Sequence, residues 1–287
     1  MAKQEHDPIS GTATTGHEWD GIKELNTPIP KWWVYVFYAT IIWAAGYWVF
    51  YPSWPTLTGY LKGTLGYSSR GEVRSEMAAA AEARKVWLDR FKGASVQQIA
   101  ADPKLRTYAM AGGAVAFKDN CAPCHQAGGA GAVAYPTLAD DEWLWGGTLD
   151  DIQATITHGI RWSQDSGTRV SEMPKFGTDK LLDAKQIDQV ADYVVALAAG
   201  GKADALPGKA IYAEQCVACH GEGGVGMQAV GAPALNNKIW LYNGTKDGIV
   251  AQIKAPKHGV MPAWGGRLDE TTIKQLAVYV HALGGGK

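Results

Sequence analysis

The sequence predicts an all-α chain: one N-terminal transmembrane helix followed by two tandem helical repeats. Three observations predict it. The 20 residues from Trp32 to Tyr51 carry no charge. Two Cys-x-x-Cys-His motifs, 95 residues apart, use all four cysteines. The segments around the second motif repeat those around the first, and no strand-period pattern of any length competes.

Residues 1–30 form a polar tail with Gly, Thr and Pro. Residues 31–52 are the membrane helix. Twenty residues at a rise of about 1.5 Å span about 30 Å, the thickness of the hydrocarbon layer. Lys31 closes one end, and Trp32, Trp33, Trp48, Tyr51 and Trp54 form aromatic belts at the two interfaces. A buried core helix of this length would show a polar face. A cleaved signal peptide would begin nearer Met1 and end at small residues, whereas Tyr-Pro-Ser-Trp-Pro follows here. Residues 53–106 read as a spacer, turned by Pro52, Pro55 and glycines over 53–71. A helix follows from Glu72 to Phe91, rich in good helix formers from Met77 to Arg84. It serves either as a docking helix or as a solvated strut.

The two repeats cover 107–201 and 202–287. Gly113 to Cys121 matches Gly208 to Cys216, with Phe117 and Tyr212 each four residues before the cysteine. Each repeat continues with a Gly-rich loop, a proline turn (Pro136; Pro233) and a tryptophan segment (Trp143, Trp145; Trp240). A second helix, a Met-Pro dipeptide and a closing helix complete it. The closing helices share Tyr-Val-x-Ala-Leu, at Tyr193–Leu197 and Tyr279–Leu283. The first and last helices of each repeat are expected to cross, with glycine and aromatic residues at the contact.

Composition excludes several functions. With 27 basic and 28 acidic residues, the chain lacks the charge footprint of a nucleic-acid binder. It contains no P-loop, no Gly-x-Ser-x-Gly and no dinucleotide fingerprint ahead of a helix. Thirty-five glycines and 12 tryptophans suit close backbone approach to a flat cofactor with aromatic walls.

Cys121, Cys124 and His125, and again Cys216, Cys219 and His220, have the spacing that attaches c-type haem. Two thiols form thioethers and the adjacent histidine reaches the iron. A zinc site would draw on both pairs or on a distal His-x₃₋₅-His, which is absent. A thioredoxin-like site would sit in a βαβ unit. Because c-haem is matured outside the cytoplasm, the motifs place the N-terminus in the cytoplasm and the bulk of the chain in the periplasm of a bacterial inner membrane. Flanking lysines alone orient it weakly.

The iron ligands on one face are His125 and His220. For the other face the best candidates are Met173 and Met261, each followed by proline, 48 and 41 residues beyond the histidines. A thioether favours reduced iron, raises the potential and closes the sixth position. Each methionine serves its own repeat in the simple reading; a crossed arrangement uses the same four ligands. Met227 is a weaker candidate, while Met77 and Met110 read as helix packing. His158 and His258, each before a glycine, read as structural histidines ahead of propionate partners or alternative ligands. His281 is expected on a surface or interface helix face, and His6 and His17 in the solvated tail. Arg161, Arg169 and Lys257 are candidate propionate partners.

Each repeat resembles a class I cytochrome c, in which a proline carbonyl fixes the haem histidine; Pro136 and Pro233 are the matching positions. The order of anchor, spacer and haem motifs, with Leu138 to Gly147 and the paired Met-Pro dipeptides, resembles the CcoP/FixP subunit of cbb3-type cytochrome c oxidases over essentially the whole chain. The resemblance implies two covalent haem c groups. It implies electron transfer from a soluble or membrane-bound donor cytochrome c, with a monohaem cytochrome subunit and a haem–copper subunit as partners. Oxygen is then reduced in the haem–copper subunit, and this chain has no catalytic residues of its own. Two other functions stay open on the residues alone: a membrane-anchored dihaem peroxidase, which needs an open sixth position, and the cytochrome subunit of a periplasmic dehydrogenase. A haem-based sensor would need a signalling domain larger than the tail.

Overall fold

The computed structural model describes residues 5–201 and 203–284. They fall into two compact units, divided after Ala83.

The first unit opens with a hairpin, β1 (Thr14–Trp19) against β2 (Ile22–Leu25), where a plain polar tail was expected. The turn is Asp20-Gly21, both with positive φ (47° and 84°). An Asp-Gly turn of this handedness matches the twist of paired strands, and that dipeptide was the available signal. Helix α1 (Lys31–Phe50) is apolar all round with no buried residue. It starts after Pro30 and stops before Pro52, where the residue ahead of a proline leaves the helical region. Tyr47 stacks on Tyr51 at 4.7 Å and Trp48 meets Trp54 edge-on at 4.9 Å. A second short hairpin pairs β3 (Pro55–Thr56) with β4 (Gly59–Tyr60). Helix α2 (Ser69–Gly93) is longer than the Glu72–Phe91 stretch expected, and the unit boundary falls within it.

In the second unit the C-terminal end of α2 is core. Phe91 is fully buried with Ile99, Leu105, Ala109 and Val278. Helix α3 (Val96–Ala101) begins at a Ser95–Gln98 capping box, and α4 (Pro103–Asn120) begins at Asp102 with proline at its first position. One-turn helix α5 (Ala122–His125) carries the first histidine. Helices α6 (Leu149–His158) and α7 (Ala184–Ala198) follow, capped by Thr148 and Asp183. The second repeat supplies α8 (Gly208–Gln215), α9 (Val217–His220), α10 (Lys246–Lys254) and α11 (Glu270–His281).

The helices cross, but with exchanged partners. Opening helix α4 packs on α11, the closing helix of the second repeat, and α8 packs on α7, the closing helix of the first. This corrects the expectation of crossings within each repeat. At one crossing a Cβ on Gly113 would sit 2.5 Å from the Gln275 carbonyl oxygen and 2.6 Å from Tyr279 Cβ. At the other, a Cβ on Gly208 would run into the Gln189 carbonyl and lie 2.9 Å from Tyr193 Cβ. Phe117 meets Tyr279 at 5.4 Å and Tyr212 meets Tyr193 at 5.1 Å between ring centroids. The reason lies in connection length and symmetry. Only residues 199–207 separate α7 from α8, and short connections make neighbours. Both closing helices present the same Tyr-Val-x-Ala-Leu face, so exchanged and unexchanged pairs bury equivalent surfaces.

Two cores result. One joins Tyr212, Ile249 and Ile253 of the second repeat to Val190, Tyr193 and Val194 of the first. The other joins Phe117, Ile152 and Ile156 to Ile273, Leu276 and Val280.

Candidate functional site

Each Cys-x-x-Cys-His motif is built the same way. The N–H of Cys121 closes on the Phe117 carbonyl at 2.8 Å, and that of Cys216 on the Tyr212 carbonyl at 2.9 Å. The following helical turn, α5 or α9, brings the second cysteine and the histidine round to the first. His125 Nδ1 donates to the Pro136 carbonyl and His220 Nδ1 to the Pro233 carbonyl, both at 2.9 Å. These are the two prolines expected. Protonation at Nδ1 leaves Nε2 with its lone pair, the form a metal needs. The Gly-rich loops lock on as well: Gly131 N–H donates to the His125 carbonyl and Gly226 N–H to the His220 carbonyl, each at 2.8 Å.

The electrostatics agree. Burial holds both histidines below the ordinary imidazole pKa, outweighing the carbonyl hydrogen bond, so both are neutral near pH 7. Burial, with the neighbouring thiol adding, pushes Cys121 and Cys216 up to about 11. Cys124 and Cys219 are exposed, and all four cysteines are free of disulfides. Among the described residues no cluster of three or more His, Cys, Asp or Glu is poised around a metal ion, which removes the zinc alternative there.

The methionines are distributed across the repeats. Met173 lines the cavity of the second motif, together with Cys216, Cys219, His220, Trp240 and Tyr242. That cavity encloses about 1360 Å³ of open space including its mouth. Met261 packs in the core with Phe117, Cys121, Ala122 and Trp143, at the first motif. Of the arrangements left open by spacing, the structure therefore brings each Met-Pro loop to the opposite repeat's motif. Local bonding explains why. The Met261 loop caps α6: Trp264 N–H donates to the Ile156 carbonyl at 3.1 Å and Gly265 N–H to Thr157 at 3.0 Å. The Met173 loop caps α10, with Thr178 N–H on the Lys254 carbonyl at 3.1 Å. Helix C-termini have orphan carbonyls, and each loop satisfies those of one helix.

The donor set fits covalent haem. Paired free thiols, a histidine Nε2 and a thioether converge on an apolar cleft large enough for a flat macrocycle.

The remaining candidates sort as follows. His258 Nε2 accepts the Met173 N–H at 3.0 Å, which fixes its tautomer and gives it a structural role. His158 Nδ1 donates to Asp165 at 3.0 Å. Arg169 donates to the Trp145 carbonyl and lies 3.5 Å from the Asp151 carboxylate. Lys257 and Arg161 line the second cavity. Met227 is exposed and pairs through its backbone with Ala232. Met110 packs in the helical core as expected, whereas Met77 is 66% exposed, on a helix face without a core beneath it. His281 is half-buried in α11; His6 bonds the Gly11 carbonyl at 3.2 Å and His17 stacks on Trp19 at 6.5 Å. Sequence reasoning missed how close the two motifs lie. A Cβ on Gly231, in the second motif's loop, would collide with the Trp145 ring, and Ala134 N–H donates to the Leu241 carbonyl at 2.8 Å.

Comparison with known proteins follows the same division of the chain. Residues 11–58 match the model of the N-terminal domain of cytochrome oxidase-cbb3, FixP; residues 109–198 match cytochrome c; residues 203–280 match cytochrome c oxidase, cbb3-type, subunit III. The chain is 52% identical to the cbb3-type cytochrome c oxidase subunit FixP of Rhizobium meliloti, covering 99% of both chains. It is 52% identical to subunit CcoP of Azospirillum sp., covering all of both, and 51% identical to FixP of Bradyrhizobium diazoefficiens, covering 99% of this chain and 98% of the relative.

Proposed function

Because the chain belongs to the FixP/CcoP family of cbb3-type cytochrome c oxidase subunits, we propose that it is the dihaem electron carrier of such an oxidase. It is an electron-transfer subunit within a respiratory complex, and its cytochrome c domains bind haem c. The finer reading is two haems, one at Cys121, Cys124 and His125, the other at Cys216, Cys219 and His220. Electrons enter from a donor cytochrome c and leave toward the haem–copper subunit, with the monohaem subunit as neighbour. Helix α1 crosses the inner membrane with the N-terminus cytoplasmic and the haem domains periplasmic.

Bound haem supplies one-electron chemistry between ferrous and ferric iron. The protein's part is to hold it. The cysteines anchor the ring, and the Pro136 and Pro233 carbonyls keep each histidine's Nε2 available. Met261 closes the sixth position at the first motif and Met173 at the second, which bars oxygen and peroxide. Apolar walls limit water and raise the potential.

The observation that carries this reading is the methionine loop at each motif's core. A closed sixth position suits a carrier and argues against the peroxidase. The test is to purify the chain from its native membrane in mild detergent and measure oxygen uptake with reduced cytochrome c. Uptake with co-purifying haem b and copper is expected. A dihaem chain arriving alone and consuming peroxide would overturn the reading.

A further inference from the structure

Both methionine loops meet at one hydrogen-bonded junction. Ile160, just beyond α6, pairs with Met261 in both directions: its N–H donates to the Met261 carbonyl at 2.9 Å, and the Met261 N–H donates back at 3.0 Å. The next residue, Arg161, donates from Nε to the Gly259 carbonyl and from Nη1 to the Ser171 carbonyl, each at 2.9 Å. Gly259 stands two residues before Met261, and Ser171 two before Met173. His258 closes the ring by accepting the Met173 N–H. The backbone here is held in unusual conformations. Gly159 has φ 68°, and a Cβ there would lie 2.7 Å from Ala263 N. Arg161 itself is left-handed at φ 53°, which an arginine rarely adopts unless its surroundings over-determine it.

We propose that Arg161 is a positioning residue that couples the two haem sites, its guanidinium clamping the Met173 loop to the Met261 loop so that both thioethers loosen together when it is removed. A planar guanidinium carries donors in a fixed fork and spans carbonyls from two segments; a lysine is a single point donor. A role limited to charge, as a partner for a haem propionate in the cavity Arg161 lines, would act on the second site alone and would be met by lysine. The proposal rests on the reading of Met173 and Met261 as axial ligands.

The test uses the full-length, haem-loaded chain in detergent. Imidazole is titrated against the ferric form, which reads how readily each methionine is displaced, alongside redox titration of both haems. Single Met173→Ala and Met261→Ala variants assign the two haems. Arg161→Gln and Arg161→Lys are both expected to raise imidazole affinity about tenfold at both sites and to lower both potentials. A change confined to the second site, a lysine variant that behaves as wild type, or no change at either site would overturn the coupling. Should the glutamine variant fail to accumulate, the lysine variant carries the test alone. If imidazole affinity and potential are unaltered in both methionine variants, the ligand reading itself fails, whatever Arg161 does.

Discussion

A histidine beside two cysteines is a haem ligand only if the right nitrogen carries the proton. One carbonyl oxygen settles that here, at Pro136 and at Pro233. The thioethers arrive from a different direction, because each methionine follows the helix end its loop caps and not the motif of its own repeat. This gives a sharp prediction. In a background where serine replaces Cys121 and Cys124, so that only the second haem attaches, Met173→Ala should lower its potential by on the order of 100 mV, within the ~0.8 V range that axial ligands span. Met261→Ala should leave that haem far less affected. Redox titration checks this, and the opposite ranking would restore same-repeat ligation.

At the scale of elements, two glycines let helices touch. Gly113→Ala and Gly208→Ala should each destabilise by about 1–3 kcal/mol, since the new methyl meets backbone that has to move. Alanine's better helix propensity offsets at most about 1 kcal/mol of that. For a unit of this size the melting temperature should fall by roughly 2–4 °C per kcal/mol, as differential scanning calorimetry would record. Helix α4 also depends on its cap. Asp102 accepts from Lys104 N at 2.8 Å and Leu105 N at 3.1 Å, and pairs with Arg90 at 2.8 Å. These contacts, the Leu105 N–H foremost, hold its carboxyl below the usual aspartate value. A depressed folded pKa means that the stabilisation is complete above the ordinary carboxylate value and is lost as pH falls through it. Melting curves from pH 6 down to pH 3 should therefore be less pH-dependent in Asp102→Asn, because asparagine keeps the cap without titrating.

For the whole molecule, exchange of the closing helices makes the two haem repeats one folding unit. Helix α11 brings Ile273, Leu276, Ala277 and Val280 into the core beneath the first motif. A chain ending at Gly201 would lose those side chains, worth about 1.5–3 kcal/mol for each of the larger ones, along with Met261. Such a fragment should fail to accumulate haem at Cys121 and Cys124 and should be degraded by protease far faster than the full chain. A stable, fully haem-loaded fragment would show that the first repeat folds alone. The same interleaving brings the motifs close, with Trp145 of one repeat against Gly231 of the other, as a relay between two haems requires.

Residue spacing by itself determined the two attachment motifs, the membrane helix, the proline carbonyl partners and the four ligand candidates. These are short-range facts: a thiol pair and its histidine share one helical turn, and an apolar run of 20 residues reads its own length. The hairpin at Asp20-Gly21 was legible too, in a dipeptide whose turn preference is local. What only the tertiary structure decided is which closing helix packs on which opening helix, and so which methionine meets which motif. The repeats are alike at every surface that makes those contacts, so pattern cannot tell the two pairings apart. The choice falls to the short connection between α7 and α8, and to the helix carbonyls and arginine that hold the Met-Pro loops. Those are relations between segments as much as 98 residues apart, the separation of Arg161 and Gly259.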